Sequence, residues 1–345
     1  MKYSNLLCLA LVVIVAIQLT SSMRTSTSIS PPTSLVGFAF GLDPVAPLYI
    51  KINLETGHNI NNTLPLQKKQ NIQSILQVYD NDDVLVYYMD TDSQGDYIGD
   101  LSMYHPGNNT MTRLQTIPYT QAESTYEPVI LTGAGYNAKT NTMYSFVQIY
   151  ETYDLGVLSI SFKDQSFGFT SLSNSWINVT AAASCFDPIG EKYYIALLLI
   201  DSDLQIATYD TVSKSEVMLF NVSLGIDIDN STDGTPHFSV YVWDSMMYVF
   251  VGSTQEGFPL WIGVVNLATQ QVKTIVQDNI PLYDKNLPPF TIDHNNGYMS
   301  AFAIDNTGKT YLYMLDLSTQ DYTKTSEPNL WVNPQDFIYE SILSS

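Results

Sequence analysis

Cysteine is nearly absent: the 345 residues hold two, Cys8 and Cys185. Cys8 falls inside the leader described below, so the rest of the chain keeps one thiol and cannot form an internal disulfide. That excludes the small stapled scaffolds common among secreted proteins. Such a chain depends on a large apolar core, which about 320 residues can supply because the buried fraction rises with length. Cys185 lies in a run of small residues, Ala181, Ala182, Ala183 and Ser184 before it and Phe186 after it. No basic residue is near it in sequence to lower its pKa, so it reads as a buried, inert thiol on an innermost strand.

Basic residues are scarce as well, 14 against 34 acidic ones, for a net charge of −20. Loss of Lys2 with the leader leaves 13 basic residues and a net charge of −21. Phosphate backbones and anionic lipid surfaces are repelled by such a chain, so nucleic acid is excluded as a partner. The acids are dispersed rather than run together, as on a solvated surface.

Long apolar runs are confined to the N-terminus, where Lys2 precedes residues 6–19, interrupted only by Gln18 and followed by Thr20, Ser21 and Ser22. This run is short for a membrane span and small residues follow it, so residues 1–22 read as a secretory signal peptide, with an uncleaved anchor as the rival. No later stretch approaches roughly eighteen apolar residues, and no stable membrane insertion is expected. Residues 23–34, rich in Ser and Thr and closed by Pro31 and Pro32, read as a short linker. Residues 35–345 then form a single domain.

Catalytic signatures are missing: no Gly-x-Ser-x-Gly elbow, no phosphate-cradling glycine loop and no paired histidines on metal spacing. His58, His105, His237 and His294 are scattered in turns or at strand ends.

A repeat of about fifty residues is present instead, in which an aromatic or apolar residue precedes Asp or Asn at a strand end. It occurs at Tyr79-Asp80, Tyr136-Asn137, Phe186-Asp187, Trp243-Asp244 and Ile292-Asp293. A second marker, Asn/Asp-x-x-Thr/Ser, keeps step with it at Asn53 to Thr56, Asp210 to Ser213, Asn266 to Thr269 and Asp316 to Thr319. Between markers run short segments rich in Val, Ile, Tyr and Phe, with no helical period. Four strands fit one repeat, so the chain is all-β: a β-propeller of six four-stranded blades, with seven as the competitor. The first repeat lacks a front strand, and residues 337–343 (FIYESIL) have the length to supply it and close the ring. Regular spacing argues against a two-domain β-sandwich. The marker Asp and Asn residues read as turn formers.

Loops between second and third strands are acidic, holding Asp43, Asp90, Asp92, Asp96, Asp154, Asp201, Asp203, Glu256 and Asp305. Among them, Asp90, Asp92 and Asp96 place hard oxygens at the opening spacing of a calcium loop, although Leu101 stands where a bidentate Glu belongs. Residues 227–234 form a second acidic loop. Five sequons, at Asn61, Asn108, Asn178, Asn221 and Asn230, mark candidate N-glycosylation sites. Tyr119, Tyr126, Tyr150, Tyr153, Phe258 and Tyr283 near predicted loop tips suit a contact surface.

On these repeats the chain resembles the six-bladed β-propellers of secreted proteins over residues 35–343. It lacks the Gly-His and Trp-Asp pairs of WD40 blades and the diglycine of kelch blades. With no catalytic constellation in the sequence, the chain reads as a non-catalytic, glycosylated extracellular protein that presents loops of a rigid propeller to a protein or carbohydrate. Some propellers of similar outline are calcium-dependent lactonases or esterases, so a secreted hydrolase with Ca2+ in the central channel is the alternative, although their ligand motifs are not matched here residue by residue.

Overall fold

The computed structural model describes residues 31–41, 48–56, 58–66, 71–79, 81–91, 97–118, 128–130, 134–149, 154–173, 179–201, 203–226, 236–253, 260–282, 290–293, 296–305, 307–327 and 336–344. Residues 1–22 and most of the linker lie outside them. Met1–Pro31 and Pro32–Ser345 are separate units, and the second carries every described strand. Among the described residues there are strands and no helix.

The strands fall into six antiparallel sheets, as expected. Blade 1 contains β1 (Ser34–Gly41), β2 (Leu48–Asn53) and β3 (Asn59–Thr63), and blade 2 contains β4 (Asn71–Val78), β5 (Val84–Thr91), β6 (Tyr97–His105) and β7 (Thr110–Pro118). Blade 3 has β8 (Pro128–Ile130), β9 (Gly135–Asn137), β10 (Thr142–Ile149), β11 (Leu155–Ser161) and β12 (Ser166–Ser171). Blade 4 has β13 (Val179–Asp187), β14 (Lys192–Leu199), β15 (Asp203–Asp210) and β16 (Ser215–Ser223). Blade 5 has β17 (His237–Trp243), β18 (Met246–Gly252), β19 (Leu260–Asn266) and β20 (Val272–Asp278). Blade 6 has β21 (Phe290–Asp293), β22 (Tyr298–Ile304), β23 (Thr310–Asp316) and β24 (Tyr322–Glu327). The last strand, β25 (Asp336–Ser344), returns to pair antiparallel with β1 and becomes the innermost strand of blade 1. Innermost strands then meet around the axis, β25 against β4, β4 against β9, β9 against β13, β13 against β17 and β21 against β25.

Second strands are buried on both faces because a blade flanks each side: β10, β14 and β18 each hold a continuous buried run. Outer strands such as β16 and β20 have mostly exposed or half-buried residues instead. The core therefore lies in the six seams between blades. Val36, Phe38 and Tyr49 pack on Val86, Tyr88 and Tyr104 in the seam of blades 1 and 2. Leu35, Ile50 and Ile52 pack on Tyr298, Phe302 and Leu312 in the seam of blades 6 and 1. Blades 4, 5 and 6 share one continuous cluster around Trp261. Hydrogen bonds add to the apolar contact: the Tyr193 hydroxyl donates to Ser184 Oγ at 2.6 Å and accepts the Phe146 amide at 3.0 Å, joining blades 3 and 4.

The second marker, and the first at Asn137, form the same device, an Asx turn in which a side-chain oxygen accepts amides two and three residues on; at Trp243-Asp244 the strands are joined instead through two left-handed residues, Asp244 and Ser245. At the turn between third and fourth strands, Asp210 Oδ1 accepts from Val212 and Ser213, and Asn266 Oδ1 from Ala268 and Thr269. The turn closes on a left-handed residue, Lys214, Gln270 or Gln320. Asn137 Oδ1 does the same work between first and second strands, accepting from Lys139 and Thr140. The two turns then bond to each other: Phe162 N to Asn141 O, Thr211 N to Glu191 O, Leu267 N to Ser245 O and Leu317 N to Gly297 O. That linkage explains why the two markers keep step.

One expected strand is corrected. The sequence of residues 129–136 by itself reads as one innermost strand, whereas β8 and β9 pair with β10 as two strands. β9 presses against blade 4 so closely that a Cβ on Gly135 would lie 2.6 Å from the Cβ of Phe186.

Phe38 is fully buried, edge-on to Tyr49 and Tyr104 with ring centroids 6.0 and 6.2 Å away. Phe38→Ala is expected to lower stability by about 3–5 kcal/mol, read as a reduced urea midpoint with unchanged slope.

Candidate functional site

The antiparallel meander gives the propeller two unlike ends. Turns between first and second strands and between third and fourth strands share one end; connectors between second and third strands, and between blades, share the other. The marker residues occupy the first end, as turn formers.

At the second end, Asp154, Asp201, Asp203 and Asp305 lie in or beside connectors between second and third strands. Asp43, Asp92, Asp96 and Glu256 lie outside the described residues. Asp305 is committed to its own turn, accepting from the Thr307 hydroxyl at 2.6 Å, the amides of Thr307 and Lys309, and the Tyr311 hydroxyl at 3.0 Å. These bonds, the Thr307 hydroxyl foremost, hold its carboxyl down at about 2.

Of the three calcium-candidate residues, only Asp90 is described, in register with Ile98 near the end of β5. Asp100, the last acid of that stretch, is buried in the seam of blades 1 and 2 rather than at the connector. Its Oδ2 lies 2.8 Å from Nη2 of the half-exposed Arg113, and its Oδ1 accepts from the Thr116 hydroxyl. Among the described residues no group of three His, Cys, Asp or Glu side chains is placed to hold a metal.

Sequons Asn61 and Asn108 are exposed, and their following residues meet across the seam of blades 1 and 2. Asn62 Nδ2 donates to Pro106 O at 3.3 Å, and Asn109 Nδ2 donates to Thr63 O at 3.0 Å, so the middle residue of each sequon reaches across to the other turn or strand. The Thr110 hydroxyl donates to Asn108 Oδ1 at 2.6 Å. Asn221 is exposed on β16 and accepts from Gln205 Nε2 at 3.3 Å. Asn178 and Asn230 lie outside the described residues, as do Tyr119, Tyr126, Tyr150, Tyr153, Phe258 and Tyr283. Cys185 is buried on β13, and burial pushes its thiol up. His105 Nδ1 lies 2.9 Å from Asp83 Oδ1 and its Nε2 lies 3.2 Å from Thr112 Oγ1, an arrangement that ties blade 2's two turns together.

A cavity of about 380 Å3 opens at the marker end where blades 3 and 4 meet. Its size falls in the range of small-ligand pockets, about 300–1,000 Å3. Three turns build it. Lys139 and Thr140 come from the β9–β10 turn, Lys163 and Asp164 from the β11–β12 turn, and Thr211 and Lys214 from the β15–β16 turn. Tyr144 and Tyr209, both buried, pack at 6.0 Å between ring centroids. Burial pushes the Tyr144 hydroxyl up, and hydrogen bonds with Thr211, Thr140 and Thr142 work against that rise. Ser159, Ser161, Ser166 and Phe167 complete the wall. Lys139 Nζ reaches Glu191 Oε1 at 3.3 Å. Sequence reasoning passed over these lysines because they are 24 and 51 positions apart in plain turns; only the unusual lysine in a marker turn, where siblings carry Gln, sets Lys214 apart.

No protein-family model matches the chain, and no curated protein matches it. Solved structures do. A putative 6-phosphogluconolactonase of Bacteroides fragilis is similar at 12% identity and TM-score 0.51, over 93% of this chain and 100% of that one. A putative 6-phosphogluconolactonase of Bacteroides uniformis is similar at 12% identity and TM-score 0.50, over 90% and 98%. TolB of Acinetobacter baumannii matches at 8% identity and TM-score 0.49, over 88% of this chain and 66% of its own. At these identities the likeness to the two Bacteroides structures shows the fold alone, and the count of six blades is that of this chain's own sheets.

Two outcomes are expected. Cys185 should resist alkylation in the native protein and react fully in denaturant, read by mass spectrometry. Because the Asp305 carboxyl is depressed, its turn should persist through the ordinary carboxylate range and open only as pH falls through about 2, read by carboxyl carbon NMR.

Proposed function

We propose that this is a secreted, N-glycosylated β-propeller that binds an extracellular ligand without transforming it, and that the ligand is a carbohydrate held in the cavity of blades 3 and 4. The observation that carries this reading is the lining of that cavity by the hydroxyl-bearing side chains of Thr140, Thr142, Ser159 and Thr211. The Thr142, Ser159 and Thr211 hydroxyls donate to the carbonyls of Thr140, Gly168 and Glu191, which leaves their oxygens to accept from the hydroxyls of a polyol. An extracellular protein is the other ligand class consistent with exposed turns on a rigid scaffold.

Secretion rests on the leader at residues 1–22 and on sequons at exposed positions. Asn61 and Asn108 are exposed, where a glycan would be carried without burial. Secreted protein should lose mass on enzymatic removal of N-glycans, and Asn61→Gln with Asn108→Gln should remove part of that loss.

The second reading, a lactonase or esterase with Ca2+ in the channel, draws support from the names of the two Bacteroides neighbours. A shared fold at 12% identity does not carry chemistry with it. Thermal unfolding separates the two. The binding reading predicts the same midpoint in EDTA and in millimolar calcium, and a saccharide-dependent rise; a rise of several degrees with calcium alone favours the hydrolase.

A further inference from the structure

We propose that the cavity between blades 3 and 4 selects an anionic saccharide, one bearing a carboxylate or sulfate, through Lys163 and Lys214. This rests on the carbohydrate reading above and names the class of sugar.

The chain has 14 basic residues in all, and three of them, Lys139, Lys163 and Lys214, line this one cavity. Elsewhere Lys51 pairs with Asp82, Arg113 with Asp100 and Lys324 with Asp278, Lys273 bonds to Gln320, and Lys309 lies over the Tyr311 ring, while Lys192 stands outside this cavity without a described ion pair. Lys139 is itself paired with Glu191. Lys163 and Lys214 form no ion pair with any described residue, and both are exposed at the rim.

Their positions are not what the turns require. Lys214 occupies the left-handed position, φ 55°, where the equivalent turns of blades 3, 5 and 6 carry Gln165, Gln270 and Gln320. Gln meets the backbone demand equally well, so the ammonium adds charge to the cavity without adding to the turn. Lys163 stands two residues after the turn-capping Ser161, where Val212, Ala268 and Ser318 stand in the sibling turns. The two ammonium groups thus come from different blades and face one hydroxyl-lined space.

Charge sharpens the selection. Against a net charge of −20, most of the surface repels an anion, and a local cationic rim gives it one place to settle. Asp164 is the acid in the lining; its Oδ2 accepts from the Ser161 hydroxyl at 3.0 Å, within its own turn. Lysine binds carboxylate and sulfate as a point charge with rotatable donors, so both groups fit. Thr140, Thr142 and Thr211 would orient the ring hydroxyls.

The test is calorimetric titration of the full-length secreted protein with a uronate-containing disaccharide, a sulfated disaccharide and a neutral one. The expected result is binding of one or both anionic sugars at least tenfold tighter than the neutral sugar at low salt, declining with salt. Lys163→Gln with Lys214→Gln, which restores the sibling residue at position 214, should remove that preference while leaving the thermal midpoint unchanged. Equal binding of neutral and anionic sugars, unaffected by the double variant, overturns the anionic selection and leaves the carbohydrate reading intact. Binding of no sugar overturns both. A preference for carboxylate over sulfate, or the reverse, assigns the anion.

Discussion

Face-to-face packing of one blade on the next is the interaction on which everything else here depends. The second strand of a blade is buried on both faces only because a blade stands on each side of it. A single blade would therefore expose two apolar surfaces and cannot be stable alone. No disulfide compensates, since Cys185 has no partner and is itself packed into the interface of blades 4 and 5. Acids repelling one another over the surface add a further opposing term. Stability accordingly requires all six seams, and the sixth exists only because β25 leaves blade 6 and pairs with β1. Chain closure and core formation are in this sense one event.

The turns inherit their geometry from that packing. Each Asx turn satisfies its own backbone, and the bond from one turn of a blade to the other holds the marker end as a rigid rim. A rim built this way tolerates side-chain variation at positions that point to solvent, because the carboxylate or amide at the turn's start already meets the backbone's needs. Lys163 and Lys214 occupy such positions, so the anion selection proposed above would be added without disturbing the blade. The opposite end differs: its Asp305 is consumed by its own turn, and its Asp100 is drawn into a seam to meet Arg113.

Much of this was legible in the sequence because the repeat is local. Tyr136-Asn137, Phe186-Asp187 and Ile292-Asp293 mark strand ends whose turn chemistry acts within four residues, so periodicity alone locates the blades. The closing strand at 337–343 was legible by subtraction, since the first repeat had no front strand. Blade 3 hid its third-strand marker because Ser161, rather than Asp or Asn, caps that turn through its hydroxyl. The close approach of Gly135 to Phe186 was hidden because it is a contact between blades. The cavity was hidden for the same reason: Lys139, Lys163 and Lys214 converge only once two blades are docked, and nothing in their local sequence announces it. Acidic residues drew attention by number, and Asp100 shows that number misleads when a seam offers a buried partner.

Native-state hydrogen exchange of β25 tests the central claim most directly. If ring closure and core formation are one event, the amides of β25 that bond to β1 exchange only through global unfolding, with the same free energy and denaturant dependence as those of β14 and β18. Exchange of β25 at a much lower free energy, while β14 and β18 remain protected, would mean that the ring persists open and would contradict the account.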